Sequence, residues 1–380
     1  MNSNFRLKKR ATCGLIVTHQ CNLNCRYCYV ARKTDNNMPV ETAKSIIESF
    51  LKTKRSEGCD ELVFSFMGGE PFLRFDLMRE VTDWLFSRTL PLPALVTATT
   101  NGTLLTPERQ EWIFRHRKIF FVSLSYDGTF QAQNINRSSS ASAIDLDFFL
   151  KCYEKPEIKA TVSEESVPFL ADGIIELTER GFVANANVAH GTRPWRRETF
   201  AEFARQLDRL VDYYLNNPDK EATSLVKIPL FGAATSKNSP RRRCGAGTES
   251  YVVYDCDGKA YPCHMFSPLT QSKSKLLLAR NIDFLSEATF QNPACGNCAL
   301  QPICPTCYGL NFRRTGDPAR KEPYYCRVFR LQVIAACRYY SALFERKPSD
   351  ALSSDEKRIA KVVNEILSPL LAAERENDEF

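Results

Sequence analysis

The chain has no run of about 18 or more apolar residues, so no transmembrane helix is indicated. Its first residues, Met1-Asn2-Ser3-Asn4-Phe5-Arg6, hold no apolar core of a secretory signal. A cytoplasmic protein is therefore expected. Neither sign of charge dominates: 51 lysines and arginines face 44 acids, for a net charge of +7. Lys8-Lys9-Arg10, Arg193 to Arg197, Arg241 to Arg243 and Arg313-Arg314 are short basic groups that read as solvated faces. No nucleic-acid partner and no membrane contact are expected. Without a secretion signal, fifteen cysteines in 380 residues argue against a disulfide framework. The remaining composition is ordinary for a globular chain, 43% apolar and 25% charged, with length for one large domain and a smaller one.

The cysteines are unevenly spread. Cys21, Cys25 and Cys28 sit at C-x3-C-x2-C spacing just after the apolar run Leu15-Ile16-Val17. Three thiolates can hold three irons of a cubic iron–sulfur cluster and leave the fourth iron open to a small molecule. A structural cluster would be closed by a fourth cysteine nearby, and none follows until Cys59. The alternative is a zinc knuckle with its fourth ligand elsewhere. Eight more cysteines fall between Cys244 and Cys326, a density that in a cytosolic chain points to metal. Cys13, Cys59, Cys152 and Cys337 lie in strand- or helix-like stretches and read as buried core thiols. His19 and His116 have no partner pattern.

Apolar runs of strand length occur at 14–18, 61–66, 95–100, 119–125, 158–162 and 182–188, separated by stretches with helical periodicity. Six strand–helix units predict a parallel sheet with helices outside, α/β in class. The chain is too short for eight units plus the cysteine-rich region, so a partial (β/α)6 TIM-like barrel is expected. The expected segments are a lead-in at 1–12, the barrel at 13–230, a small cysteine-rich domain at 231–340 and a helical tail at 341–380. Pro218, Pro229, Gly232 and Pro240 bracket the connection between the two domains. Tyr251 to Tyr261 reads as a β-hairpin turning at Asp257-Gly258. The tail opens with Ser353 and Glu356 in capping-box spacing, and Ile359, Val362, Val363, Ile366 and Leu370 form a stripe suited to docking on a core. Active groups of parallel sheets gather at the C-terminal ends of strands. The cysteine triplet, Met67-Gly68-Gly69-Glu70-Pro71, Thr100-Asn101-Gly102-Thr103 and Ser125-Tyr126-Asp127-Gly128 all follow strands there.

The triplet after the first strand, with Tyr27 before its third cysteine, and Gly68-Gly69-Glu70-Pro71 after the second strand resemble the radical SAM superfamily. The resemblance implies that S-adenosylmethionine binds the open iron and is cleaved to a 5′-deoxyadenosyl radical. It also implies cofactor contacts from Tyr27, Gly68, Gly69, Glu70, Asn101, Ser125 and Arg137. Glu70 would face the amino group, while Ser125 and Arg137 match positions that hold the ribose and the carboxylate. Cys244, Gly258-x4-Cys263, Cys295-x2-Cys298-x5-Cys304-x2-Cys307 and Cys326 resemble the SPASM extension of these enzymes. A zinc ribbon would need more than five residues between its knuckles. By that resemblance Cys244, Cys263 and Cys307 serve a first auxiliary cluster, and Cys295, Cys298, Cys304 and Cys326 serve a second. Together with the S-adenosylmethionine-binding cluster this makes three 4Fe-4S clusters. The usual spacing before the sixth cysteine is three residues, and here it is two. Cys256 is extra, either a fourth ligand to the first auxiliary cluster or a bystander.

The residue after Cys263 bears on the reaction. Sulfatase-maturing relatives carry an aspartate there, and this chain has His264, in a Cys-His-x-Phe run also found in relatives that form thioether crosslinks in precursor peptides. His264 is either a base or a residue packed beside the cluster. The resemblance therefore implies a maturase that oxidatively crosslinks a ribosomally synthesised precursor peptide. A formylglycine-generating sulfatase maturase or another SPASM oxidase is the alternative. A zinc-binding, non-catalytic module would need neither the glycine-rich run nor six strand–helix units. Only 12 residues precede Cys13. A separate leader-binding protein is accordingly an expected partner, as is an electron donor such as flavodoxin or ferredoxin.

Overall fold

A computed structural model describes residues 9–30, 32–190, 194–230, 244–348 and 350–378. Lys8, Arg193, Arg241 to Arg243, Gly232 and Pro240, singled out above, lie outside the described residues. The strands are β1 (Arg10–Thr18), β2 (Glu61–Gly68), β3 (Ala94–Thr100), β4 (Phe120–Leu124), β5 (Glu157–Val162), β6 (Val183–Val188), β7 (Tyr251–Tyr254) and β8 (Ala260–Tyr261). The helices are α1 (Val40–Ser56), α2 (Phe75–Phe86), α3 (Pro107–His116), α4 (Phe130–Asn136), α5 (Leu146–Cys152), α6 (Leu170–Glu179), α7 (Arg197–Asn216), α8 (Lys273–Ala279), α9 (Tyr308–Thr315), α10 (Pro323–Glu345) and α11 (Ser354–Asp378). All six expected parallel strands and the helices between them are present. The chain has the expected α/β architecture. Among the described residues no helix is long and apolar enough to cross a membrane.

The chain forms two compact units, each built from separate segments. The first comprises Met1–Ser125, Ala143–Glu154 and Cys244–Ser286; the second comprises Tyr126–Ser142, Lys155–Arg243 and Glu287–Phe380. Compactness thus groups residues differently from the linear segments 13–230 and 231–340.

In the first unit β1 is central. It pairs in parallel with β2 on one side and with β7 on the other. From Cys13 onward it is buried on both faces, which is why its sequence is a continuous apolar run rather than an alternation. β2 pairs with β3 and β3 with β4, again in parallel. Tyr251–Tyr261 is a hairpin as expected, with β7 antiparallel to β8 and Gly258 at φ +78° in its turn. Its pairing with β1 was not readable: a four-residue strand carries no mark of its partner. Thr106 caps α3, accepting from the Arg109 amide, with Pro107 in the first turn.

In the second unit β5 and β6 pair in parallel. α10 and α11 enclose an apolar core that contains Phe329, Val333, Ile334, Val362, Val363, Ile366 and Leu370. The tail's apolar stripe is thus buried in that core. Its capping box is formed: Glu356 accepts from the Ser353 amide at 2.9 Å, and Ser353 Oγ accepts from the Glu356 amide at 3.2 Å.

Candidate active site and cysteine clusters

The first unit holds the cysteine triplet in the loop that leaves β1. Cys28 closes a turn by donating its amide to the Cys25 carbonyl at 3.1 Å. The loop is tied to the end of β3 by side-chain amides. Asn101 Nδ2 donates to Asn22 Oδ1 at 2.9 Å, and Asn22 Nδ2 donates to Thr103 Oγ1 at 2.8 Å. Lys33 donates to Asn24 Oδ1 at 3.2 Å and also bonds the Leu23 carbonyl. Burial above all raises the Cys21 thiol; Glu70 and Cys28 act in the same direction and Lys33 opposes them.

The glycine-rich run docks onto the backbone that leads into Cys21. Gly69 donates its amide to the Thr18 carbonyl at 3.0 Å, and Glu70 donates to the Gln20 carbonyl at 2.8 Å. A Cβ on Gly68 would stand 2.2 Å from the Thr18 carbonyl oxygen, and one on Gly69 would stand 2.1 Å from that of Gln20. Gly68 also has φ +153°. Glu70 is buried and accepts three hydrogen bonds, from the Phe72 amide (3.0 Å), Thr100 Oγ1 (2.9 Å) and the Asn101 amide (2.8 Å). These bonds fix the orientation of the carboxylate. Ser125 follows β4 and donates its amide to the Thr100 carbonyl at 2.8 Å. The structure thus gathers the triplet, Gly68-Gly69-Glu70, Asn101 and Ser125 at the C-terminal ends of β1 to β4.

Arg137 belongs to the second unit, where its Nη2 donates to Asp127 Oδ1 at 2.9 Å and both side chains are almost wholly buried. Asp127 also accepts from the Thr161 amide (2.8 Å) and from Asn136 Nδ2 (3.0 Å). Ser138 and Ser139, next along the chain, have φ of +54° and +55°, a strain of the kind that clusters at functional sites. Asp127→Ala removes the carboxylate from a buried guanidinium and is expected to cost about 3–5 kcal/mol in urea unfolding.

Cys263, Cys244 and Tyr29 all act on the phenol of Tyr251, which burial raises most. His264 packs its ring 5.3 Å from that of Tyr29. Its Nδ1 is buried without a hydrogen-bond partner, and burial pushes the imidazole down to about 4. The same burial that keeps His264 neutral opposes the imidazolium that a general base must become. Cys256 lies instead at the hairpin turn. Its thiol donates to the Ile16 carbonyl at 3.1 Å, beside the buried pair of His19 Nε2 and Asp255 Oδ1 (2.6 Å). The ligand atoms of His19, Asp255 and Cys256 lie within 4.8 Å of one another. Sequence reasoning left His19 without a partner because its partner is 236 residues away.

In the second unit Cys295, Cys298, Cys304 and Cys326 form one electrostatic neighbourhood. Cys298 and Cys326 act on both Cys295 and Cys304, which burial raises, and Lys321 lowers both. Cys298 closes a turn on the Cys295 carbonyl at 3.1 Å. Cys307 precedes α9 in the same unit. His190, two residues beyond β6, stacks on Tyr325 at 4.0 Å and bonds its hydroxyl. Burial first, then Lys321, pushes His190 from 6.5 down to about 4. A lowered histidine pKa contributes stability that is full above 6.5 and lost as pH falls toward 4. Between pH 7 and 5 the wild type is expected to lose about 2 kcal/mol more than His190→Gln in chemical unfolding.

The sequence profile of the Radical SAM superfamily matches residues 15–154. Residues 15–154 thus match a radical SAM domain. An uncharacterized protein of Methanocaldococcus jannaschii is 28% identical over 164 residues, 42% of this chain and 55% of its own length. The chain therefore spans about half of that relative. The radical SAM cyclopropyl synthase TigE of Paramaledivibacter caminithermalis is 21% identical, with 84% of this chain and 72% of TigE covered. A cysteine-type anaerobic sulfatase-maturating enzyme of Clostridium novyi is 23% identical, with 87% and 92% covered. Among solved structures, anSMEcpe with bound AdoMet and Cp18Cys peptide matches with a TM-score of 0.64 at 19% identity, over 94% of this chain and 99% of that one. Streptococcus suis SuiB bound to precursor peptide SuiA matches with a TM-score of 0.57 at 18% identity, over 84% and 76%. These structural likenesses show a shared fold. The superfamily's cofactors are a 4Fe-4S cluster and S-adenosylmethionine. The donor set of Cys21, Cys25 and Cys28, and a glycine run that a single methyl group would displace, fit that pair.

Proposed function

We propose that the enzyme is a radical SAM/SPASM maturase that oxidatively crosslinks a ribosomally synthesised precursor peptide, through a thioether or carbon–carbon bond. The reading rests on one observation above others: a second group of four cysteines, in which Cys298 and Cys326 lie near both Cys295 and Cys304, separate in sequence from the triplet. A crosslink removes two hydrogens from the peptide, so an electron must leave after the first hydrogen is taken, and an auxiliary cluster can accept it. When bound, the triplet's cluster supplies the electron that cleaves S-adenosylmethionine to a 5′-deoxyadenosyl radical. Cys21, Cys25 and Cys28 would hold that cluster, and the Gly68-Gly69 backbone would admit the cofactor closely. Glu70 is held as a carboxylate for the amino group, while Asn101 keeps the triplet loop in place through Asn22. Tyr27, Ser125 and Arg137 complete the proposed cofactor contacts. Cys295, Cys298, Cys304 and Cys326 would hold the second auxiliary cluster. Cys244 and Cys263 are proposed for the first, with Cys307 as the SPASM resemblance assigns it. The solved structure of SuiB bound to precursor peptide SuiA shares this chain's fold and favours a peptide substrate. A leader-binding protein and a flavodoxin or ferredoxin are the proposed partners.

Formylglycine formation on a sulfatase is the second reading, favoured by the length of the match to the Clostridium novyi enzyme. Against it stands His264, where an aspartate would be needed and where burial resists protonation. An anaerobic reaction with reductant, S-adenosylmethionine and any short peptide encoded beside this gene separates the two. Mass spectrometry is expected to show deoxyadenosine together with a peptide lighter by two hydrogens. Formylglycine in a sulfatase-derived peptide, with the neighbouring peptide unchanged, would overturn the crosslinking reading.

A further inference from the structure

Lys321 occupies an unusual place in the second unit. Its Nζ lies 2.8 Å from Cys304 Sγ, and its charge reaches Cys295 as well. Among the described residues it has no carboxylate partner. The neighbouring acid, Glu322, is taken by Arg314, whose Nη2 and Nε donate to it at 2.7 and 3.1 Å. The other titratable groups around Lys321 carry no compensating charge. Burial keeps His190 neutral and the Tyr325 phenol protonated; that hydroxyl donates to the Val188 carbonyl and is hydrogen-bonded to His190. Lys321, His190, Glu322 and Tyr325 line one cavity, and Lys321 is half-buried there. Among the described residues the ammonium's hydrogen-bond partner is Cys304 Sγ, and its charge acts on Cys295 and Cys304.

We propose that Lys321 raises the reduction potential of the cluster held by Cys295, Cys298, Cys304 and Cys326, and so makes it the favoured electron acceptor of the chain. The inference rests on the reading of these four cysteines as iron–sulfur ligands. A four-thiolate cubic cluster gains one negative charge on reduction, and hydrogen bonds to its sulfurs and nearby charge set its potential. An ammonium that donates to Cys304 Sγ stabilises the more negative, reduced form. It is a tuning residue and takes no part in bond making.

The test is an electron-paramagnetic-resonance redox titration of the full-length, reconstituted enzyme. The signal of this cluster is the one lost in Cys295→Ser/Cys298→Ser. Lys321→Met is expected to bind iron fully and to lower the reduction equilibrium constant of that signal about tenfold, which is 59 mV for a one-electron couple. Lys321→Arg, which keeps the charge, is expected to titrate close to wild type. A Lys321→Met signal at the wild-type potential with full iron overturns the role of Lys321 and leaves the cluster reading standing. Loss of the iron in Lys321→Met also overturns it, because the lysine would then serve assembly. Iron content unchanged by Cys295→Ser/Cys298→Ser, or zinc at these cysteines, overturns the cluster reading itself.

Discussion

Cys25→Ala is expected to abolish formation of 5′-deoxyadenosine from S-adenosylmethionine and to leave the iron proposed at Cys295, Cys298, Cys304 and Cys326 in place. Liquid chromatography with mass spectrometry reads the first result, and iron per chain reads the second. The triplet occupies one loop, closed by the Cys28 to Cys25 turn and tied to β3 through Asn22 and Asn101. Three ligands are the fewest that hold the cluster in one orientation with one iron open, so losing one loses the function of all three. Residues that act as a unit are strongly non-additive. Cys21→Ala, Cys28→Ala and the triple variant are therefore expected to match Cys25→Ala. Residual deoxyadenosine in the triple variant would place S-adenosylmethionine cleavage elsewhere in the chain.

Gly69→Ala has the second-largest expected effect. The added methyl would stand 2.1 Å from the Gln20 carbonyl oxygen and 2.8 Å from that of His19. Both are backbone atoms, so no side-chain rotation relieves the clash. The loop must move away from β1, breaking the Glu70 to Gln20 and Gly69 to Thr18 hydrogen bonds. Overpacking of this kind is expected to cost about 3 kcal/mol in urea unfolding, and deoxyadenosine formation is expected to fall with it. Gly58→Asn is the control. Gly58 has φ +70° with open space around its Cβ, and asparagine tolerates that conformation. Its stability is expected to change by less than about 0.5 kcal/mol. Equal behaviour of the two variants would mean that the glycine run does not press against the triplet loop.

The parts of this molecule that sequence reasoning reached are those with a period or a spacing. β1 to β6 and their helices follow from apolar periodicity, and the Ser353–Glu356 cap follows from residue type at fixed distance. The triplet and Gly68-Gly69-Glu70 follow from cysteine spacing and from the backbone freedom of glycine. What was not legible depends on residues far apart in the chain. The parallel pairing of β7 with β1 brings Asp255 to His19, and no local pattern announces it. Asp127 stood in a noted loop, but its hold on Arg137 and on the Thr161 amide needed the fold. No sequence pattern singles out Lys321, and only the fold places it beside Cys304. His264 is the clearest case of chemistry changed by context. Its type suits a base near neutral pH, while its buried position moves it down to about 4.

The most direct measurement is metal and sulfide content of the anaerobically purified, full-length enzyme, taken together with its cleavage of S-adenosylmethionine under reducing conditions. Iron and acid-labile sulfide for three four-iron clusters are predicted, with deoxyadenosine formed only when Cys21, Cys25 and Cys28 are intact. Zinc without iron or sulfide, and no deoxyadenosine, would contradict the account.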